Sequence, residues 1–184
     1  ETYITSNGVI YDTAKPNAPQ ITITTKEPVL AGVSDSGIEI FNSDVEFSIS
    51  VEDPVVNGTY SGLASVSYKI INNGTVTQKG SFDKELKPAS MMVQSIENKE
   101  VKVEASKNNS NDIVIEVTAT DNAGNTTTEK KQIAIDTTPP EITVSYDNNN
   151  VANGKYFKAD RTMTVEYKER NFDESKLTFD VTTN

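Results

Sequence analysis

The stretch IVIEVTATDNAGN, residues 113–125, alternates apolar with polar side chains and then ends in a cluster of Asp, Asn and Gly. Apolar residues fill every second position from Ile113 to Ala119, which is the period of a β-strand with one buried face. Asp, Asn and Gly favour the backbone conformations of tight turns. The stretch therefore predicts a buried strand, a turn over residues 121–125 and a closing strand over about residues 126–135.

A similar alternation elsewhere in the chain predicts further strands. Apolar residues recur at every second position over residues 45–51, 66–70 and 101–103. The Asn-Gly pair at residues 73–74 favours the left-handed dihedral angles of a two-residue hairpin. Residues 82–98 show no clear period and are the least regular part of the chain. About seven short strands joined by polar turns predict an all-β sandwich.

Composition limits the functions that this chain can perform. It has 184 residues with no Cys, His or Trp, and its formal net charge is −10. Without His and Cys, it lacks the usual general bases, thiol nucleophiles and nitrogen or sulfur metal ligands. An acidic surface repels phosphate backbones, so nucleic acid is not predicted as a partner. No apolar run approaches the roughly 18 residues of a membrane-spanning helix, so membrane insertion is not predicted either.

Two parts of the chain repeat each other in the same order. Each copy has a Pro-containing segment that begins with Asp-Thr, then a short strand, then a Phe-x-x-Asp segment that leads into a second strand. The corresponding ranges are residues 12–16 with 136–140, 21–24 with 142–145, and 41–51 with 157–167. Proline fixes φ and lacks an amide donor, so strand pairing stops at the Pro-containing segments. We interpret these segments as linkers between domains.

The repeat sets the predicted domain limits. Residues 1–12 are interpreted as the last strand of a preceding repeat and its linker, residues 13–137 as one complete repeat, and residues 138–184 as the N-terminal part of the following repeat. That last range offers only about three strands. They are predicted over residues 142–146, 162–167 and 177–181. A sandwich needs two sheets to bury its inner faces, so we expect the chain to be a fragment of a longer protein.

Several motifs resemble those of bacterial Ig-like domain repeats of exported surface proteins. The turn at residues 121–125, followed by IAIDTTPP at residues 133–140, carries most of the resemblance. Residues 61–68, SGLASVSY, look like the third-strand motif of such domains, and residues 169–173, ERNFD, look like a similar marker in the second copy. The resemblance implies tandem immunoglobulin-like β-sandwich repeats and an extracellular or cell-surface (cell wall) location in a bacterium.

A non-catalytic structural spacer or stalk segment of a tandem Ig-like array, in a bacterial cell-surface or secreted protein, is the leading functional hypothesis. Such a segment would contact mainly the neighbouring Ig-like repeats of its own chain. Two alternatives remain open: an adhesin-type binding module for a host surface protein or glycan, and an accessory module attached to an extracellular enzyme. Fold alone does not choose among these functions.

The sequence does not predict an enzyme. Glu52 and Asp53 are adjacent, and adjacent residues of a strand point to opposite faces, so we interpret them as solvated charges at a strand end. A glycan site would need exposed aromatic rings, but most Tyr and Phe fall at inward strand positions. The four other aromatic residues are expected to pack in the core or at domain junctions. These four are Tyr3, Tyr11, Tyr60 and Tyr156.

Calcium is the one cofactor for which the sequence offers candidate ligands. In an Ig-like sandwich, the loop after the second strand, the hairpin before the last strand and the incoming linker share one end. This arrangement would gather Asp12, Asp53 and Asp121, with a carbonyl oxygen of Asn122 as a further ligand, and Ca²⁺ prefers such oxygen ligands. The alternative is that Asp121 accepts hydrogen bonds from the amides of its own turn.

Overall fold

A computed structural model describes residues 11–26, 30–84, 86, 93–148 and 156–180. The chain divides into two compact units, with the division between Thr137 and Thr138. The strand expected within residues 1–12 lies almost entirely outside the described residues, as does part of the irregular stretch 82–98. The two units are called unit 1 and unit 2 below.

Unit 1 is an all-β structure with more than one sheet, which confirms the all-β part of the predicted fold class. Its strands within the described residues are β1 (Gln20–Ile23), β2 (Leu30–Val33), β3 (Glu39–Phe41), β4 (Val45–Glu52), β5 (Leu63–Asn72), β6 (Thr75–Ser81), β7 (Ser95–Val103), β8 (Ile113–Asp121) and β9 (Thr126–Ile135). A three-stranded sheet has the order β1-β4-β7, and a six-stranded sheet has the order β2-β3-β9-β8-β5-β6. A short 3-10 turn, Ala105–Lys107, follows β7.

Both sheets contribute to one hydrophobic core. The alternating side chains of β4 and β8 are fully buried, and they pack in the same cluster as those of β5 and β9. The rings of Phe47 on β4 and Tyr68 on β5 meet edge to face, with 6.4 Å between their centroids. The period-two patterns therefore predicted correctly which faces of these strands are buried.

The predicted hairpins are also present. Asn73 and Gly74 both have positive φ, at 47° and 76°, and they join β5 to β6 as a two-residue turn. The turn at residues 121–125 joins β8 to β9, and β9 begins and ends where the closing strand was predicted. Local turn chemistry thus fixed these connections.

The short hairpin of β2 and β3 was not predicted from the sequence. Its turn is closed by the hydroxyl of Ser34, which accepts from the Ile38 amide at 3.0 Å, and Gly37 has φ of 80°. β3 then pairs in parallel with β9, with Ile40 opposite Ala134. A strand of three residues is too short to show a period, so its pairing with β2 and β9 defines it.

Unit 2 contains one antiparallel strand pair among its described residues: β10 (Glu141–Tyr146) and β11 (Met163–Lys168). The third strand predicted over residues 177–181 is wrong for its described part, because residues 177–180 form no strand. They follow a 3-10 turn, Glu174–Lys176, whose N-terminal Asp173 accepts from the Ser175 amide. A strand is stabilised by a neighbouring strand, and no strand among the described residues pairs with residues 177–180.

Asp44, just before β4, gives unit 1 an acid-sensitive contact. Its carboxylate binds the Lys102 ammonium at 2.5 Å and the Ala105 amide at 2.8 Å. The hydrogen bond from Lys102, followed by that from Ala105, holds the pKa of Asp44 below its ordinary value of 3.8. The ionised carboxylate therefore stabilises the fold at pH values above its ordinary pKa. This stabilisation is lost as the pH falls through the lowered pKa of the folded state.

We therefore expect Asp44→Asn to lower the free energy of unfolding by less than about 1 kcal/mol at neutral pH, since solvent screens this pair. The difference from wild type should shrink as the pH falls from about 4 through the lowered pKa of folded Asp44, because the unfolded chain binds the proton first. Urea denaturation across this pH range measures it, with the exposed Asp35→Asn as the control. A difference that stays constant down to pH 2 would contradict this account.

Candidate functional site

Three acidic residues that are far apart in sequence lie together at one end of unit 1. Asp12 belongs to the segment before β1, Asp53 directly follows β4, and Asp121 is the last residue of β8. One carboxylate oxygen of each residue lies within 4.8 Å of those of the other two. The structure thus brings together the three aspartates that the sequence selected.

Asp53 is fully buried, with 0% of its surface exposed. Its Oδ2 accepts a hydrogen bond from the Gly62 amide at 2.7 Å, whereas its Oδ1 has no hydrogen-bond partner. The expectation of a solvated strand-end charge is therefore wrong for Asp53, although Glu52 is exposed. The backbone explains the difference: the Asp53 amide donates to the carbonyl of Gln94, which draws the chain inward after β4.

Asp121 organises the hairpin between β8 and β9. Its Oδ1 accepts from the amides of Ala123 and Asn125, at 2.9 and 2.8 Å, and its Oδ2 accepts from the Asn125 side chain at 2.8 Å. Only 1% of the residue is exposed. The expectation that Asp121 accepts hydrogen bonds from the amides of its own turn is confirmed, and its carboxylate still lies beside those of the other two aspartates.

Asp12 connects the N-terminal segment to the loop before β5. Its Oδ1 accepts from the Ala14 amide at 3.1 Å, and its Oδ2 accepts from the Ser61 amide at 2.8 Å. Hydrogen bonding from the Ser61 side chain is the largest cause that holds the pKa of Asp12 below its ordinary value, and both amides act in the same direction. Asp12 is therefore a carboxylate at neutral pH.

Ser61 and Gly62 complete the site, and sequence reasoning gave them no role in it. The Asn122 side chain donates to the carbonyls of Ser61 and Gly62, at 2.9 and 3.1 Å. The Ser61 hydroxyl accepts from the Ala123 amide at 3.3 Å. Both residues belong to the SGLASVSY motif at residues 61–68, which predicts a strand and gives no indication of these contacts.

The site concentrates negative charge. None of the three aspartates forms an ion pair with a lysine or arginine of the described residues. Burial first, and then the charges of Asp12 and Asp121, raise the pKa of Asp53. Two unit charges about 5 Å apart repel by about 3 kcal/mol at an effective dielectric constant of about 20.

The same end of the unit holds the N-terminal segment in place. The Asn125 side chain donates to the Asp12 carbonyl at 3.3 Å, and the Thr127 hydroxyl donates to the Pro16 carbonyl at 2.6 Å. The Asn17 amide donates to the Glu52 carbonyl at 2.9 Å. Residues 12–17 are therefore attached to β4, to the loop before β5 and to the β8–β9 hairpin.

The other candidates from the sequence do not join this site. Tyr11 and Tyr156 are exposed, so neither packs in a core, and packing at a domain junction stays a prediction for them. Tyr60 is half-buried, and Tyr3 lies outside the described residues. The arrangement offers carboxylate oxygens, backbone amides and the Ser61 hydroxyl. Its chemistry is that of an oxygen-donor site.

Comparison with models of known protein families gives no match, and no curated protein matches the sequence. In the part of the chain that the structure describes, no helix reaches the length and apolar character that a membrane crossing requires.

Proposed function

We propose that this chain is a non-catalytic spacer segment of a tandem Ig-like array in a bacterial cell-surface or secreted protein. The observation that carries the proposal is the attachment of residues 12–17 to unit 1 by hydrogen bonds from Ser61, Asn125 and Thr127. A spacer has a fixed length only when the linker segments between its domains are held rigidly. Pro16 and Pro19, both buried, restrict this segment further.

The strand pairing of the two units supports a tandem repeat. β1 and β4 of unit 1 form an antiparallel pair in which Ile21 lies opposite Ile49. β10 and β11 of unit 2 form the same kind of pair, with Val144 opposite Val165. In both units, the pair follows a segment that begins with Asp-Thr and contains proline.

The strand order of unit 1 supports the Ig-like assignment. In constant-type immunoglobulin domains, the first, second, fourth and fifth strands lie in one sheet, and the third, sixth and seventh lie in the other. If the β2–β3 hairpin and β6 are treated as additions, β1, β4 and β7 correspond to the first, second and fifth strands, and β5, β8 and β9 correspond to the third, sixth and seventh. No strand of the described residues corresponds to the fourth. This order places the hairpin of Asp121 and the loop of Asp53 at the same end.

Nuclear magnetic resonance tests the rigid attachment. In the wild-type chain, the heteronuclear NOE values of residues 13–17 should equal those of β4. Thr127→Val removes the hydroxyl that holds the Pro16 carbonyl and should lower those values. Thr128→Val is the matched control, because the Thr128 hydroxyl pairs with Thr118 on the exposed face of the sheet. Low values in the wild-type chain would contradict a rigid spacer.

Binding and activity assays separate the spacer from the other functions. We expect no saturable binding to glycans or extracellular-matrix proteins, and no hydrolysis of ester, glycoside or peptide substrates. Saturable binding that a single surface substitution abolishes would instead favour the adhesin-type module.

A further inference from the structure

We propose that Asp12, Asp53 and Asp121 bind one divalent cation and that Ca²⁺ is the ion that fits them. The inference does not depend on the spacer function, because the hydrogen bonds that attach residues 12–17 exist without a cation. It rests on the geometry of three carboxylates and on one buried oxygen atom that has no protein partner.

The spacing of the carboxylate oxygens suits calcium. Ca²⁺ binds oxygen ligands at about 2.4 Å, so two ligands on opposite sides of the ion are about 4.8 Å apart. The three oxygens lie within 4.8 Å of one another, so shifts of less than about 0.5 Å would bring all of them to one Ca²⁺. Mg²⁺ binds at about 2.1 Å and demands near-octahedral geometry, whereas Ca²⁺ accepts a flexible shell of six to eight oxygens.

The Oδ1 atom of Asp53 is the independent sign of a ligand. Buried polar atoms almost always have a hydrogen-bond partner, and a buried charged oxygen without one is costly. Asp53 is fully buried, and its Oδ2 already accepts from the Gly62 amide. Its Oδ1, which has no partner, belongs to a carboxylate that has an oxygen within 4.8 Å of an oxygen of each of the other two carboxylates. A bound cation would satisfy that atom and offset the repulsion among all three.

The donor set indicates a hard cation. All three side chains offer oxygen, and the chain contains no Cys or His to favour zinc or copper. Ca²⁺ takes six to eight oxygen ligands, so backbone carbonyls and water would complete the shell around three carboxylates. The ion would join Asp12, on the N-terminal segment, to Asp53 and Asp121, on the body of unit 1.

Calorimetry on the full chain tests the site. The chain is treated with a chelator, dialysed and titrated with CaCl₂ and separately with MgCl₂. We expect one Ca²⁺ per chain, with Ca²⁺ bound more tightly than Mg²⁺. Asp53→Asn and Asp12→Asn each remove one charge with little change in shape and should weaken Ca²⁺ binding by about tenfold or more. Asp35→Asn, in the exposed β2–β3 turn, is the matched control and should leave the affinity unchanged.

Three results would overturn the proposal. The first is no Ca²⁺ binding to the wild-type chain at about 10 mM CaCl₂, a concentration above the dissociation constants of the weakest natural sites. The second is an unchanged Ca²⁺ affinity in both Asn variants. The third is tighter binding of Mg²⁺ than of Ca²⁺. If circular dichroism shows that Asp53→Asn does not fold, Asp12→Asn decides the test, because Asp12 is only half-buried. If the chain binds no calcium but residues 13–17 have high NOE values, the cation site is rejected and the spacer proposal is kept.

Discussion

Replacing Phe47 by Ala should lower the free energy of unfolding of unit 1 by about 3–5 kcal/mol, the range typical of a buried Phe. Phe47 is 0% exposed in the middle of β4. Its ring meets the edge of Tyr68, which belongs to the opposite sheet. The substitution therefore leaves a cavity between the two sheets and also removes an aromatic contact across the core. Urea denaturation followed by circular dichroism measures the loss as a lower midpoint.

Phe179→Ala is the matched control for this substitution. Phe179 lies in unit 2 with 59% of its surface exposed, so its removal should change the stability of unit 1 by less than about 0.5 kcal/mol. If Phe47→Ala has an effect as small as that of the control, the two sheets do not share the core described here.

Replacing Asp121 by Ala should destabilise unit 1 by about 2–3 kcal/mol in the presence of a chelator. The change removes the acceptor of the Ala123 and Asn125 amides and of the Asn125 side chain, in a place where only 1% of Asp121 is exposed. Hydrogen bonds to charged groups contribute more than neutral ones. The substitution also removes the repulsion between the carboxylates of Asp121 and Asp53, which offsets part of the lost stability. The expected destabilisation is therefore smaller than the summed contributions of the three hydrogen bonds.

Asp112→Ala is the control for Asp121→Ala, because it removes an aspartate at the other end of β8. Asp112 is exposed just before β8, and its substitution should cost less than about 0.5 kcal/mol. Asp121→Asn separates the two opposing effects, because it keeps an acceptor oxygen and removes the charge. We expect it to be less destabilising than Asp121→Ala. A stability gain from Asp121→Ala would mean that repulsion outweighs the hydrogen bonds of the turn.

The site was predicted in part from sequence because its residues follow recognisable local signals. Asp121 begins a turn of Asp, Asn and Gly, Asp12 begins a Pro-containing segment, and Asp53 ends a run of alternating residues. Their meeting at one end follows if the chain forms an Ig-like sandwich. Ser61 and Gly62 carried no comparable signal, because their contacts with Asn122 are made by backbone carbonyls that any residue could supply.

The sequence by itself determined the longer strands of unit 1, their buried faces and the tight turns at residues 73–74 and 121–125. These features depend on neighbours two to four residues away, so the alternation of β4 and β8 and the Asn73-Gly74 pair were sufficient. Only the tertiary structure decided the parallel pairing of β3 with β9, the absence of a strand over residues 177–180 and the burial of Asp53. Strand pairing and burial depend on segments that are distant in sequence. A strand shows the same alternating sequence pattern whether or not a distant segment pairs with it.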